Sequence, residues 1–333
     1  MSLVDDDFFS GVEQLEANIG GQRAKSPTFY RDARSFTLVM PANLIALRRM
    51  MPDPRYVPAQ VLPGVGAVNL TAFEYFDTDI GPYKEFSFSI PLNSSRFLQL
   101  PCYNMLRQLI QNAFDIYIFH LPVTTEIALR GGIEVYNYPK FLADIEFEED
   151  DDRVQCEVSV GGDLICRTRG RKIPATRRGV SKFFCHMYQS RQPQGAEMKV
   201  NSKQYGFALG PGNAELVVGP RHEVGRELEG LLLSGTPLFY MYLPSMQAIL
   251  YGPEHLSLTA IGMWLQQGYG ISLDELSALL AREKAGKAPA KKAAAKKAPA
   301  KKGAPKKAAG KRAARKSAVQ AAIDEAVGTI PEQ

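Results

Sequence analysis

The chain has 333 residues, 45% hydrophobic and 10% aromatic, enough apolar material for one large core or two modest ones. Its net charge of +5 averages two unlike parts: fifteen of the 40 Lys and Arg lie between Arg282 and Lys316 beside one acid, Glu283, so the remainder carries −9. The acidic N-terminus lacks a signal-peptide pattern, and no apolar run reaches the length of a membrane span.

Cys102, Cys156, Cys166 and Cys185 show neither CxxC nor metal-ligand spacing, which points to reduced, mostly buried thiols in a cytoplasmic protein. The scattered His120, His186, His222 and His255 read as structural, so no metal is expected. Without GxGxxG, Walker, HExxH or GxSxG motifs, nucleotide-binding, zincin and α/β-hydrolase classes have no support.

Residues 1–25 are polar and broken by Gly20-Gly21, which predicts a short helix plus linker. Ser35–Met40 is strand-like. Asn43–Met51 follows as a helix, opened after Pro41 and closed by Pro52 and Pro54. Gly66–Phe76 and Phe86–Leu92 alternate as strands, and Asp115–Leu121 reads as a buried strand. Thr124–Leu129 has a helical start with Thr125 as its cap and Gly131-Gly132 as its limit.

Ala143–Glu149 alternates as an edge-like strand. Arg153–Val160 and Leu164–Lys172 flank Gly161-Gly162-Asp163, a hairpin signal. Ala214–Val218 is a strand, Glu223–Leu233 an amphipathic helix, and Leu238–Leu243 and Met246–Tyr251 two further strands. Ser272 and Glu275 form a capping box ahead of Leu276, Leu279 and Leu280, a helix suited to a lid or an oligomer contact. The sum is an α+β, β-rich domain over residues 26–281, mostly antiparallel, behind an N-terminal segment 1–25.

The stretch Tyr136–Leu142 carries one lysine, Lys140, after Pro139 and between aromatic and aliphatic neighbours. Desolvating an ammonium costs several kcal/mol. One reading is a side chain that snorkels to water over its apolar neighbours. The other is a site that wants a neutral amine. Neutralising a lysine at pH 7 takes about 4–5 kcal/mol against its charged form, which burial can supply, and a neutral amine attacks ketones to form Schiff bases.

Glu134 to Ala143, with Tyr138-Pro139-Lys140 at its centre, resembles the segment of acetoacetate decarboxylases that carries the Schiff-base lysine. The resemblance extends over roughly residues 26–255: Ser35–Pro54, the block with Tyr83-Lys84-Glu85 and Ile90-Pro91, and the closing Glu215–Tyr251. It implies a barrel or double sheet with a few peripheral helices, whose interior keeps the lysine dry, commonly in homo-oligomers. It also implies catalysis by Lys140 and Glu85, with Tyr138, Phe141, Glu134, Thr71 and Arg34 around a small keto acid. No cofactor beyond a covalent imine on the lysine is implied. Without the resemblance, Glu85 reads as a solvated acid beside Lys84.

Four positions depart from the family pattern. Phe141 replaces a second lysine, so desolvation rather than charge repulsion has to keep the amine neutral. The family's site arginine falls near Ala33, between Arg31 and Arg34, and a second glutamate falls near Thr71. Ile133 stands where the family has the arginine of an Arg-Glu pair. These departures point to a keto compound other than acetoacetate, and aldol or dehydration chemistry through the same imine stays open.

Basic doublets recur every five residues at Lys291-Lys292, Lys296-Lys297, Lys301-Lys302, Lys306-Lys307 and Lys311-Arg312. At about 100° per residue this spacing gives no single charged helical face, and Pro289, Pro299 and Pro305 interrupt any helix. No aromatic or branched aliphatic residue occurs from Lys284 to Lys316, so residues 282–316 predict a disordered tail. It resembles the lysine-alanine-proline tails of linker histones. That implies sequence-independent binding of nucleic acid or another polyanion and a nucleoid-associated location; a solubilising tail folded back on the acidic body is the alternative. Val319, Ile323 and Val327 share one face of a short helix within residues 317–333. Two function classes remain: a Schiff-base lyase with a polycationic appendage, and a non-catalytic small-molecule binder tethered by the tail.

Overall fold

The structure, a computed structural model, describes residues 7–19, 22–93, 103–189 and 192–252. The capping box at Ser272, the basic doublets, the 317–333 helix, Cys102 and His255 lie outside the described residues.

In chain order the described elements begin with β1 (Leu15–Ile19), β2 (Gln22–Ser26), β3 (Thr28–Asn43), α1 (Leu44–Met50), β4 (Val65–Thr78), β5 (Tyr83–Pro91) and α2 (Tyr103–Gln111). They continue with β6 (Ala113–Val123), α3 (Glu126–Tyr136), β7 (Lys140–Leu142), β8 (Asp144–Glu149), β9 (Arg153–Val160) and β10 (Asp163–Arg171). β11 (Arg177–Gln189), β12 (Gln192–Leu209), β13 (Ala214–Val218), α4 (Glu223–Leu231) and β14 (Phe239–Leu250) complete them.

β11, β12, β14, β3, β4, β5 and β6 follow one another in one sheet, and a parallel β11–β6 pairing closes it into a seven-stranded mixed barrel. Closure removes the exposed edges of an open sheet. β6 has two partners on its closing side. Residues 113–117 pair with β11, and Leu121–Val123 pair in parallel with the three residues of β7. A second sheet, in the order β13-β10-β9-β8, stands apart in pairing from the barrel.

Strand alternation divides the core in two. Phe36, Leu38 and Met40 of β3, Val68, Leu70 and Ala72 of β4, and Phe86, Phe88 and Ile90 of β5 face outward and cluster with Ile145, Val154, Cys156, Val158, Ile165 and Cys166 of the second sheet. Full burial of such side chains is worth about 1.5–3 kcal/mol each, so this interface fastens the second sheet to the barrel wall. The inward cluster draws on all seven barrel strands. It includes Tyr30, Ala33, Tyr75, Tyr83, Leu121, Met187, Val200 and Met246, with Ala128 and Tyr136 of α3 and Tyr138.

Several local rules act as the sequence predicts. The helix expected from Asn43 forms as α1, with Asn43 just ahead of it as a cap that accepts from the amides of Ile45 and Ala46. Gly161 and Gly162 both take positive φ, the geometry of a two-residue hairpin turn between Val160 and Asp163. β8 is the edge of its sheet.

Other expectations are corrected. Leu15–Ile19 and Gln22–Ser26 pair as antiparallel strands in place of a short helix plus linker. Thr125 stands at the start of α3 but makes no side-chain cap bond, and Gly131-Gly132 lie inside that helix instead of ending it. The two strands expected near the end are one, β14, whose pairing slips between Leu243 and Met246. The polar, weakly alternating sequences of β11 and β12 gave no expectation of strands, yet they close the barrel.

Candidate active site

Lys140 is placed by the end of α3. Asn137 takes the left-handed conformation at φ +56°, and the amides of Asn137 and Tyr138 donate to the carbonyls of Ile133 and Gly132. Asparagine tolerates this conformation better than other residues with a side chain, so it ends the helix and turns the chain. Pro139 keeps Tyr138 extended, and Lys140 falls opposite Leu121 of β6.

Gly132 completes the placement. A Cβ there would sit 2.3 Å from Lys140 Cδ and 2.5 Å from Cε. The lysine stem therefore occupies the space that any other residue on that turn of α3 would fill.

Glu85 comes from the other side of β6. It pairs with Val123 in register, while Lys140 pairs with Leu121. Their backbones are two strand spacings apart, about 10 Å, and the side chains meet across β6. Lys140 Nζ donates to Glu85 Oε2 at 2.7 Å, with side-chain exposures of 7% and 10%. The expected dry lysine is thus present, but in contact with a buried carboxylate, where the sequence predicted desolvation acting alone. Burying the two opposite charges together offsets much of the cost of burying either.

Tyrosines enclose the pair. Tyr75 Oη donates to Glu85 Oε1 at 3.2 Å, and Tyr30 and Tyr83 share a hydrogen bond between their hydroxyls at 3.3 Å. Nζ lies 5.8 Å from the ring centre of Tyr83 and 5.7 Å from that of Tyr138, within cation–π range. Burial, and after it the Glu85 charge, pushes the phenols of Tyr30, Tyr75 and Tyr83 far above their usual range, so they act as neutral donors. Tyr138 is raised too, first by burial, and the thiol of Cys185 behind it is pushed up to about 12 by burial.

The structure therefore brings together Lys140, Glu85 and Tyr138. Thr71 shares the inward face of β4 with Phe73 and Tyr75, and its hydroxyl bonds Thr37 at 3.0 Å. Three expected pocket residues lie elsewhere. Phe141 alternates outward from Lys140 and stacks on His222, with its edge to His120. Glu134 is exposed on α3. Arg34 also faces outward: it pairs with Glu74 at 2.7 Å and Glu149 at 3.0 Å, between Phe76 and Phe147. Ala33, fully buried in the inward cluster, holds the inward position beside it. A one-residue step along a strand exchanges faces, and the loose registration near Ala33 hid that step.

Sequence reasoning missed Gly132, Asn137 and the tyrosines at 30, 75 and 83. The signal for Asn137 was available, an asparagine just after a helical run and ahead of an X-Pro pair. The tyrosines alternate with the outward apolar residues of their strands. Among the described residues no group of three or more His, Cys, Asp or Glu has metal-binding geometry, and no helix is long and apolar enough to cross a membrane.

Comparison with known proteins decides the family. The sequence profile described as acetoacetate decarboxylase (ADC) matches residues 20–201, more than half of the chain. The chain belongs to the acetoacetate decarboxylase family. That span contains both Glu85 and Lys140. No curated protein sequence matches the chain. Among solved structures, an acetoacetate decarboxylase aligns at 15% identity over 68% of this chain and 87% of its own, with a TM-score of 0.47. The acetoacetate decarboxylase of Legionella pneumophila aligns at 12% identity over 76% and 95%, also at 0.47. The enduracididine biosynthesis enzyme MppR complexed with pyruvate aligns at 13% identity over 68% and 88%, at 0.45.

Proposed function

We propose that this family member is a carbon–carbon lyase that captures a small keto compound as a Schiff base on Lys140. The observation that carries this reading is the contact of Nζ with Glu85 inside a tyrosine-lined barrel. Glu85 takes a proton from the ammonium, and the freed lone pair adds to the substrate carbonyl carbon. The carbonyl oxygen then leaves as water, with protonation assisted by Glu85, and an iminium remains. Where the substrate carries a β-carboxylate, the bond to it breaks, its electron pair flows into the iminium, and carbon dioxide and an enamine form. Protonation of the enamine carbon and hydrolysis return the ketone product and the amine. Tyr75 keeps the Glu85 carboxylate oriented through its hydrogen bond.

A second outcome from the same imine is favoured by the outward turn of Arg34. Lys140 and Glu85 are together uncharged in sum, and inward Ala33 adds no charge, so these residues offer a substrate carboxylate no fixed counter-charge. The iminium can instead lose an α-proton to Glu85, and the enamine then adds to an aldehyde with later loss of water. The test is borohydride reduction with acetoacetate, pyruvate and acetone as probes, followed by peptide mass mapping. A reduced adduct on Lys140 supports the imine, and carbon dioxide release against condensed product separates the two outcomes. Binding of the probes without any adduct or turnover supports a non-catalytic binder.

The doublets from Lys291 to Arg312 fit a tether to nucleic acid or another polyanion. Affinity for duplex DNA that falls steeply with salt supports this, and salt-independent binding contradicts it.

A further inference from the structure

Helix α2 is packed with its polar side inward. Asn104 and Gln108, one turn apart, are 2% and 4% exposed. Asn104 Nδ2 donates to Asn93 Oδ1 at 3.0 Å, Gln108 Nε2 donates to the Leu92 carbonyl at 2.8 Å, and Gln108 Oε1 accepts from the Asp115 amide at 2.9 Å. These bonds fix the helix to the ends of β5 and β6. The opposite face carries Tyr103, Leu106, Leu109 and Ile110, exposed by 46%, 57%, 52% and 74%. Single exposed leucines are ordinary, but four large apolar side chains at helical spacing form one stripe that water solvates poorly.

We infer that this stripe is the docking site for residues 256–279 of the same chain. Three observations select that occupant. The first is where the described chain ends. Leu250 pairs with Met198, Met198 with Phe183, and Phe183 with Phe114, so these four residues form one row across the barrel. The end of β14 and the start of β6 therefore lie on the same rim, three strand spacings or about 14 Å apart. α2 ends at Gln111, just before β6, and the described chain ends at Gly252.

The second is reach. A few extended residues beyond Gly252, at about 3.3–3.6 Å each, cover that distance. The third is chemistry. Residues 256–279 hold Leu256, Leu258, Ile261, Met263, Trp264, Leu265, Ile271, Leu273, Leu276 and Leu279 against only two charges, Asp274 and Glu275. Such a segment needs apolar surface to cover it, and its Leu276–Leu279 stripe behind the Ser272 capping box suits helix-on-helix packing. Arg107, the one charge on α2, offers a partner of opposite sign to those two acids.

Trp264 is the only tryptophan in the chain, so intrinsic fluorescence of the full-length protein reports on this segment alone. The wild-type protein is expected to show blue-shifted emission and slow acrylamide quenching, both independent of protein concentration. Leu106→Glu with Leu109→Glu, on side chains already in water, is expected to shift the emission to that of a solvated indole and to raise quenching several-fold, with far-ultraviolet circular dichroism unchanged. Should that double variant lose its fold, Leu106→Gln with Leu109→Gln reads the same surface with a milder change. Wild-type emission already that of a solvated indole overturns the inference. So does emission that ignores both double variants while light scattering shows a wild-type dimer falling to a monomer, since a second copy then covers the stripe.

Discussion

Two cation–carboxylate contacts stand on opposite sides of the barrel wall, in different surroundings. Arg34 is saturated: its Nε and Nη2 reach Glu74, its Nη1 reaches Glu149, and two phenylalanine rings flank it. A guanidinium keeps its charge at every accessible pH, so this contact works as a staple between the barrel and the second sheet. Lys140 meets one carboxylate at one nitrogen, in the barrel interior, beside neutral phenols. An amine with one acidic neighbour can surrender a proton to it and become a nucleophile. The face of the pleat, a matter of one residue, separates a cation held between the two sheets from one in the barrel interior, the one to which we assign the chemistry.

The largest break in this contrast is Lys140→Met. Borohydride trapping should vanish, and the urea midpoint should fall by the equivalent of about 3–5 kcal/mol, because Glu85 is left buried and uncompensated. The double variant Lys140→Met with Glu85→Gln should regain most of that stability and none of the trapping. Next comes Gly132→Ala. The new methyl must push the lysine stem away from positions now 2.3–2.5 Å distant. A displaced Nζ should slow trapping by about 10- to 100-fold, and overpacking should cost about 1–3 kcal/mol in unfolding experiments.

Arg34→Met should lose roughly 1–3 kcal/mol of stability, because charge-assisted bonds to two carboxylates go, while leaving the trapping rate within about twofold. A large loss of trapping without a loss of stability would return Arg34 to the site. pH sharpens the same distinction. Glu149 is held below the usual carboxylate range, first by Lys172 and then by Arg34, and Glu227 is held low by His120. A carboxyl lowered on folding contributes stability above its ordinary range and loses it as pH falls through and below that range. The urea midpoint should therefore decline below about pH 4.5, less steeply in Arg34→Met. Gly230→Ala in α4 is the smallest change: nothing lies within 4 Å of its added methyl. It should leave trapping unaltered and raise stability by less than about 1 kcal/mol.

What the sequence made legible follows from the strength of local signals. The short helix after Pro41, the Gly161-Gly162 turn and the alternation of β4 and β5 are local rules, and they act as the residues predict. Lys140 and Glu85, 55 positions apart, were joined by family resemblance, since no periodicity in one strand reports on another. Phe141 and Arg34 were misplaced because a motif gives position along the chain and not the face. β11 and β12 escaped notice because barrel closure, rather than strict alternation, stabilises them. α2 drew no expectation at all, and its burial runs against its apolar pattern: Asn104 and Gln108 take the buried side through their hydrogen bonds, while Leu106, Leu109 and Ile110 stay exposed.

The most direct test is the mass of the peptide containing Lys140 after borohydride reduction with acetoacetate, pyruvate and acetone. The account predicts a stable adduct at that lysine with at least one of the three, and none in Lys140→Met. Intact, unmodified Lys140 with every probe, in protein shown to bind them, contradicts it.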